Sequence, residues 1–276
     1  CPYEKIILTS EGLQIINFRK HAPKKTLVAQ DLVFFNQVMQ DHQIAYLHQM
    51  HSIDISILLR QNYLVAIANL LKKLHGSDAN FITQTNVFLR NKKLYANFAN
   101  ALADIYDEYL QEQITREQFA DIEFFLQCND KSLKIHEQLA LKPQPCHMDP
   151  SHKNFLIDSQ DKVYLSDWEF ASMGDPMFDL ANFATSSYLD ADQEQHFLQT
   201  YFGANYKRNP AYYRYLVQKP TVVLWKLLWY LEQVYLDNKY IADAELKYRI
   251  AIRIQEANTF YLSEAFNYAL EQLKKN

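Results

Sequence analysis

Four glycines in 276 residues (Gly12, Gly76, Gly174 and Gly203) constrain this chain more than any other feature. Average usage would supply roughly 19, at about 7%. No two of the four lie close together. That spacing excludes a Walker A loop, a G-x-G-x-x-G dinucleotide turn and a G-x-S-x-G nucleophile elbow, which all need backbone without Cβ at short fixed intervals. Any nucleotide bound here is held by other means.

Hydrophobic residues make up 49% of the chain and charged residues 22%, the balance of a folded rather than a disordered protein. A net charge of −4 argues against a nucleic-acid partner. Cys1, Cys128 and Cys146 are odd in number, far apart and in no metal-ligand spacing. They predict no disulfide framework and no zinc site, and fit a reducing, cytoplasmic compartment. The longest apolar run, Thr221 to Leu231, is interrupted by Lys226 and is too short for about 30 Å of hydrocarbon. No membrane insertion is expected, and no signal peptide is visible, although the chain begins with Cys1 rather than Met. Nothing in the sequence sets the oligomeric state.

Two short β-rich runs, Lys5–Thr9 and Leu13–Arg19, flank Ser10-Glu11-Gly12 and predict a hairpin. Leu27, Leu32, Phe35 and Met39 predict a helix over 26–40, and the alternation in Ile53–Leu59 predicts another strand. From Gln61 the period changes. Leu64, Ile67, Ala68, Leu71 and Leu74 follow helical spacing and stop at Gly76. Helices are expected at about 86–112 and 115–141, ended by Pro143 and Pro145. A short β-rich segment covers Phe155 to Leu165. From 177 to the end the pattern is helical, with breaks expected near Pro210 and Pro220. The fold class is therefore α+β, with a small β-containing portion over 1–60 and a large helical portion over 61–276.

The chemistry-bearing segment is Cys146-His147-Met148-Asp149-Pro150-Ser151-His152-Lys153-Asn154, which reads H-x-D-x-x-x-x-N and runs into an apolar strand. Thirteen residues after Asn154 comes Asp167, just past a second apolar stretch. This is the catalytic-loop spacing of kinases. Phosphoryl transfer to an alcohol needs a carboxylate within reach of the hydroxyl, the part assigned to Asp149. It also needs Mg²⁺, which prefers hard oxygen ligands such as the Asn154 amide and the Asp167 carboxylate. His147 is expected to hydrogen-bond the loop backbone.

These residues, with Ser166-Asp167-Trp168-Glu169-Phe170-Ala171, Gly174-Asp175-Pro176 and Phe178-Asp179-Leu180-Ala181, resemble the choline kinase and aminoglycoside phosphotransferase superfamily. The likeness is greatest to bacterial choline kinases and thiamine kinases. Their pattern runs C-H-x-D-x-x-x-x-N, I-D-W-E-Y-A, G-x-x-D-P and D-L-A. This chain has Ser166 for the usual Ile and Phe170 for the usual Tyr. Leu71-Lys72-Lys73-Leu74-His75-Gly76 resembles a helix end common in these enzymes. The resemblance implies a bilobal protein-kinase-like fold, ATP and Mg²⁺ as cofactors, a hinge near Leu58 to Gln61, and Asp179 as a support for the loop.

The resemblance is weakest at the N-terminus, where the chain reads as starting on the second strand of the phosphate-covering hairpin. That loop then precedes Cys1 or is absent. Asn17 stands where a basic residue is expected. Arg19, on the same strand face, is the substitute for contacting the ATP phosphates. Asp31 is the carboxylate best placed in the next helix.

The resemblance further implies a small cationic alcohol as substrate, choline first. Quaternary ammonium groups favour aromatic faces with carboxylates nearby. Trp225, Trp229 and Glu232 share one face of a late helix, and the tryptophan pair resembles that lining the pocket of choline kinases. Glu169, Phe170 and Asp175 lie near Asp167 in sequence and complete the expected cation pocket. Thiamine or an aminoglycoside is the alternative substrate. A binding protein without turnover is the alternative class.

Overall fold

The computed structural model describes residues 4–9, 12–17, 59–77, 106, 114–157, 161–168, 170–236 and 244–275. The helix expected over 26–40, the strand over 53–59 except Leu59, and the helix over 86–112 except Tyr106 lie outside the described residues, as do Arg19, Asp31 and Glu169. The chain divides into two compact units, Cys1–Gln84 with Gln144–Tyr206, and Thr85–Pro143 with Lys207–Asn276.

The first unit contains the expected hairpin, β1 (Glu4–Thr9) and β2 (Gly12–Asn17), paired antiparallel with Leu8 opposite Leu13. Its long helix, α1 (Gln61–His75), buries Tyr63, Leu64, Ile67, Ala68, Leu70, Leu71 and Leu74, the stripe visible in the sequence. It stops at Gly76, whose N–H donates to Lys72 O at φ −93, so the cap does not use the left-handed freedom of glycine. Two three-residue strands, β3 (Gln144–Cys146) and β6 (Ser172–Gly174), pair antiparallel around the motif segment. They escaped the pattern reading, because a run of three with Pro145 at its centre shows no alternation. Between them, β4 (Phe155–Ile157) and β5 (Val163–Leu165) form the expected hairpin, with Phe155 opposite Leu165 and every residue buried. Leu8 of β1 pairs with Leu165 of β5, joining both hairpins in one sheet of order β2-β1-β5-β4.

Asp175 caps α3 (Pro176–Ser186), accepting from Met177 N at 3.1 Å, and Pro176 occupies the first helical position. All eleven residues of α3 are buried. A helix apolar on most sides and enclosed on every side carries polar side chains only where they are bonded, and those are Asp179, Asn182, Thr185 and Ser186. A capping box between Asp190 and Gln193 starts α4 (Ala191–Phe202).

The second unit is helical: α2 (Arg116–Gln138), α5 (Pro210–Leu236), α6 (Ala244–Tyr261) and α7 (Glu264–Lys274). Its core includes Phe125, Leu224, Leu227, Leu231, Ile250 and Tyr261, with the Phe125 and Tyr261 rings stacked 5.3 Å apart. Pro210 opens α5, as a proline at the first helical position does. The break expected at Pro220 is absent, for Pro220 lies inside α5. An interior proline costs about 3 kcal/mol. Val217, Val222, Val223 and Leu224 on either side of it are all buried, and burying such side chains stabilises by about 1.5–3 kcal/mol each. Packing outweighs the lost hydrogen bond.

Candidate active site

The motif segment leaves β3 into a turn that L-residues avoid. Met148 has φ 69, and Asp167, across the β4–β5 hairpin mouth, has φ 68. Non-glycine residues held there cost on the order of 1–3 kcal/mol each, and persist where their surroundings over-determine them. Both sides of Met148 are held from α3. Its N–H donates to Asp179 Oδ1 at 2.7 Å, and its carbonyl accepts from Asn182 Nδ2 at 2.9 Å. The preceding His147 N–H donates to Asp179 Oδ2 at 2.7 Å. Asp179 and Asn182 are three residues apart, so one face of α3 grips the loop.

The His147 ring is fully buried. It meets Ser166 O through Nε2 at 2.9 Å, and Nδ1 accepts the Asp149 N–H at 3.3 Å. Burial pushes its pKa below the usual histidine value, against the raising influence of Asp179. The neutral ring with its proton on Nε2 satisfies both bonds at once. Trp168 packs edge-on against it, centroids 4.8 Å apart, and donates its indole N–H to Leu165 O at 3.0 Å.

Asp149 is half-buried. Asn154 Nδ2 donates to Asp149 O at 2.7 Å and to Asp149 Oδ2 at 3.2 Å. A one-turn 3-10 helix, His152–Asn154, brings the two together, with Asn154 N bonded to Ser151 O. With its nitrogen committed to Asp149, the Asn154 amide turns its oxygen the other way. Ser166 then fixes the opposite side of the hairpin mouth, its N–H and Oγ both bonding Asn154 O at 2.9 and 3.0 Å. Asp167, the next residue, is exposed. Two hard oxygen donors, an amide and an accessible carboxylate, thus stand on adjoining strand ends, a donor set that suits Mg²⁺.

A different trio, His75, Cys146 and Asp179, has ligand atoms within 4.8 Å of one another. Each atom is otherwise engaged. His75 Nδ1 meets Tyr201 Oη at 2.7 Å and Nε2 meets Asp179 Oδ2 at 3.1 Å. Burial raises the Cys146 thiol well above its usual pKa, against forming the thiolate a metal needs. This cluster is a hydrogen-bonded core, not a metal centre.

The hydrogen bonds therefore bring together His147, Asp149, Asn154 and Asp179, with Asp167 joined through Ser166. Asp175 is the cap of α3, and Phe170 is a half-buried turn residue. Trp225 packs half-buried against the core of the second unit, and Trp229 is 47% exposed, its ring 5.2 Å from Tyr230. Glu232 lies on α5, with its side chain outside the described residues. Pattern reading missed Asn182, Tyr201 and the roles of Ser166 and His75. The Leu74-His75-Gly76 helix end carried the one available signal. No helix among the described residues is long and apolar enough to cross a membrane.

The family model described as "Phosphotransferase enzyme family" matches residues 46–216, more than half of the chain. The LicA homolog of Metamycoplasma hominis is 29% identical over 197 residues, which is 68% of this chain and 70% of that protein. A choline/ethanolamine kinase family protein from Mesorhizobium loti superposes with a TM-score of 0.67 at 19% identity, over 96% of this chain and 75% of that one. The choline kinase LicA from Streptococcus pneumoniae superposes with a TM-score of 0.50 at 18% identity, over 90% and 89%. The kinase-like fold expected from the motifs is the fold observed. The matched span runs from before α1 through the motif loop, the β4–β5 hairpin and α3, and the chain belongs to the phosphotransferase enzyme family.

Proposed function

We propose that the protein is an ATP- and Mg²⁺-dependent kinase of a small cationic alcohol, choline first. The observation that carries this reading is the Asn154 clamp on Asp149, set beside Asp167 by Ser166. The names of its relatives, a LicA homolog and choline kinases, favour choline. Asp149 orients the substrate hydroxyl and takes its proton as the oxygen bonds the γ-phosphorus and the bond to ADP breaks. Asn154 Oδ1 and Asp167 would hold Mg²⁺, which when bound would neutralise phosphate charge. His147, uncharged and locked, keeps the Asp149 peptide in register. Arg19 contacts the ATP phosphates, within a nucleotide lobe formed by 1–60. The aromatic and acidic residues offered for the cation are Trp225, Trp229 and Glu232 on α5, and Glu169, Phe170 and Asp175 beside Asp167 in sequence. An ATP-consuming reaction fits the cytoplasm.

The test is ADP release from Mg²⁺-ATP across choline, ethanolamine, thiamine and an aminoglycoside, with Asp149→Ala and Asp167→Ala beside the parent. Turnover with choline that both variants lose by at least about a hundredfold supports the proposal. Turnover confined to thiamine or the aminoglycoside reassigns the substrate. ATP or choline binding without turnover overturns the kinase reading in favour of a binding protein.

A further inference from the structure

Asp179 reaches beyond the catalytic loop. Its Oδ2 accepts from His147 N–H and also meets His75 Nε2, at the end of α1. His75 Nδ1 in turn meets Tyr201 Oη at 2.7 Å, from α4. His75 is 3% exposed, Asp179 0% and Tyr201 9%, so water does not compete for these bonds. The three residues come from three helices, 104 and 126 residues from His75 along the chain.

A carboxylate oxygen can only accept, so His75 Nε2 carries the hydrogen. In the neutral ring Nδ1 is then the bare nitrogen, and the Tyr201 hydroxyl donates to it. The carboxylate selects the tautomer, and the phenol pins the ring so that Nε2–H stays aimed at Asp179. In the other tautomer, a nitrogen lone pair would face the carboxylate that holds the strained Met148 turn.

We propose that Tyr201 is a positioning residue for phosphoryl transfer. By bonding His75 Nδ1, it holds the ring in place, keeps the third hydrogen bond on Asp179 and so holds the loop that places Asp149. The catalytic part of this inference rests on the kinase reading above. The hydrogen-bond part does not.

The experiment uses the full chain, with histidine ring nitrogens labelled with ¹⁵N and the His75 signals assigned by their loss in His75→Gln. The expected spectrum shows a protonated Nε2 and a bare Nδ1 at His75. In Tyr201→Phe, which keeps the ring and its packing, Nδ1 stays bare but loses its partner, and the Nε2–H signal shifts and broadens as the bond to Asp179 loosens. In the same variant kcat falls about tenfold, with KM for ATP and alcohol changed less than about twofold, the signature of a misplaced catalytic group. Gln at 75 can still donate to Asp179 but has no ring nitrogen for the phenol to hold, so Tyr201→Phe added to His75→Gln lowers kcat no further. An Nδ1–H or doubly protonated His75 in the parent overturns the proposal, as does an unchanged Nε2–H signal in Tyr201→Phe. So does additivity of the two substitutions. The nitrogen spectra decide the matter even if choline is not the substrate.

Discussion

Replacing Asp179 with Asn changes one atom and no shape, and the hydrogen bonds around it set the cost. Three donors converge on the buried carboxylate: His147 N–H and His75 Nε2 at Oδ2, and Met148 N–H at Oδ1. An amide in its place can serve two of them by putting its oxygen at the Oδ2 position. Its NH₂ then faces the Met148 N–H, donor against donor. Leaving that buried donor unpaired costs about 1–3 kcal/mol. The two surviving bonds lose their charge assistance, about 1 kcal/mol each. Removing a buried charge recovers part of this. The net loss expected for Asp179→Asn is about 2–4 kcal/mol, read by urea denaturation. Activity should suffer more than stability. Met148 is freed to leave φ 69, and Asp149 follows it. A shift of about 1 Å in a catalytic group is enough for a hundredfold loss in kcat. Denaturation within about 0.5 kcal/mol of the parent, together with an unchanged kcat, would refute the view that Asp179 holds the loop.

The buried His147 predicts a pH dependence. Its folded pKa lies below the ordinary value, so the unfolded chain binds the proton more readily. The stability it contributes is present above the unfolded value of about 6.5 and is lost as pH falls toward the folded one. Thermal melts between pH 7.5 and 5 should show that slope, and His147→Gln should flatten it. The Cys146 thiol, buried and raised in pKa, should resist iodoacetamide at pH 8 until the protein unfolds, while the half-buried Cys128 reacts sooner, as mapped by mass spectrometry of the alkylated peptides. Asp190→Ala removes the capping box of α4 and should cost about 1 kcal/mol in urea denaturation.

The sequence made the motif residues of the proposed site visible because their relation is local. Asp149 and Asn154 are five residues apart and Asp167 closes a hairpin, so spacing alone announces them. The α1 stripe was legible for a similar reason, since helical period survives in any window of a few turns. Pro220 misled because the rule for proline is local while the answer lay in the packing around α5. The partners of the loop were invisible for the converse reason. Tyr201 and His75 stand 126 residues apart, and only the tertiary fold makes them hydrogen-bond partners. Met148 looks like an ordinary apolar residue, and nothing in its side chain signals the left-handed backbone it must adopt.

The eleven enclosed residues of α3 bear on how such a chain can vary. The helix is at once part of the packed interior and the clasp on the loop. A substitution there is tested for volume and for polar geometry together, and has no solvent-facing side on which to be neutral. The loop itself has more latitude at Lys153, exposed between fixed neighbours. A random library selected for turnover should therefore return α3 nearly unaltered, and should gather its tolerated changes at the loop's outer positions.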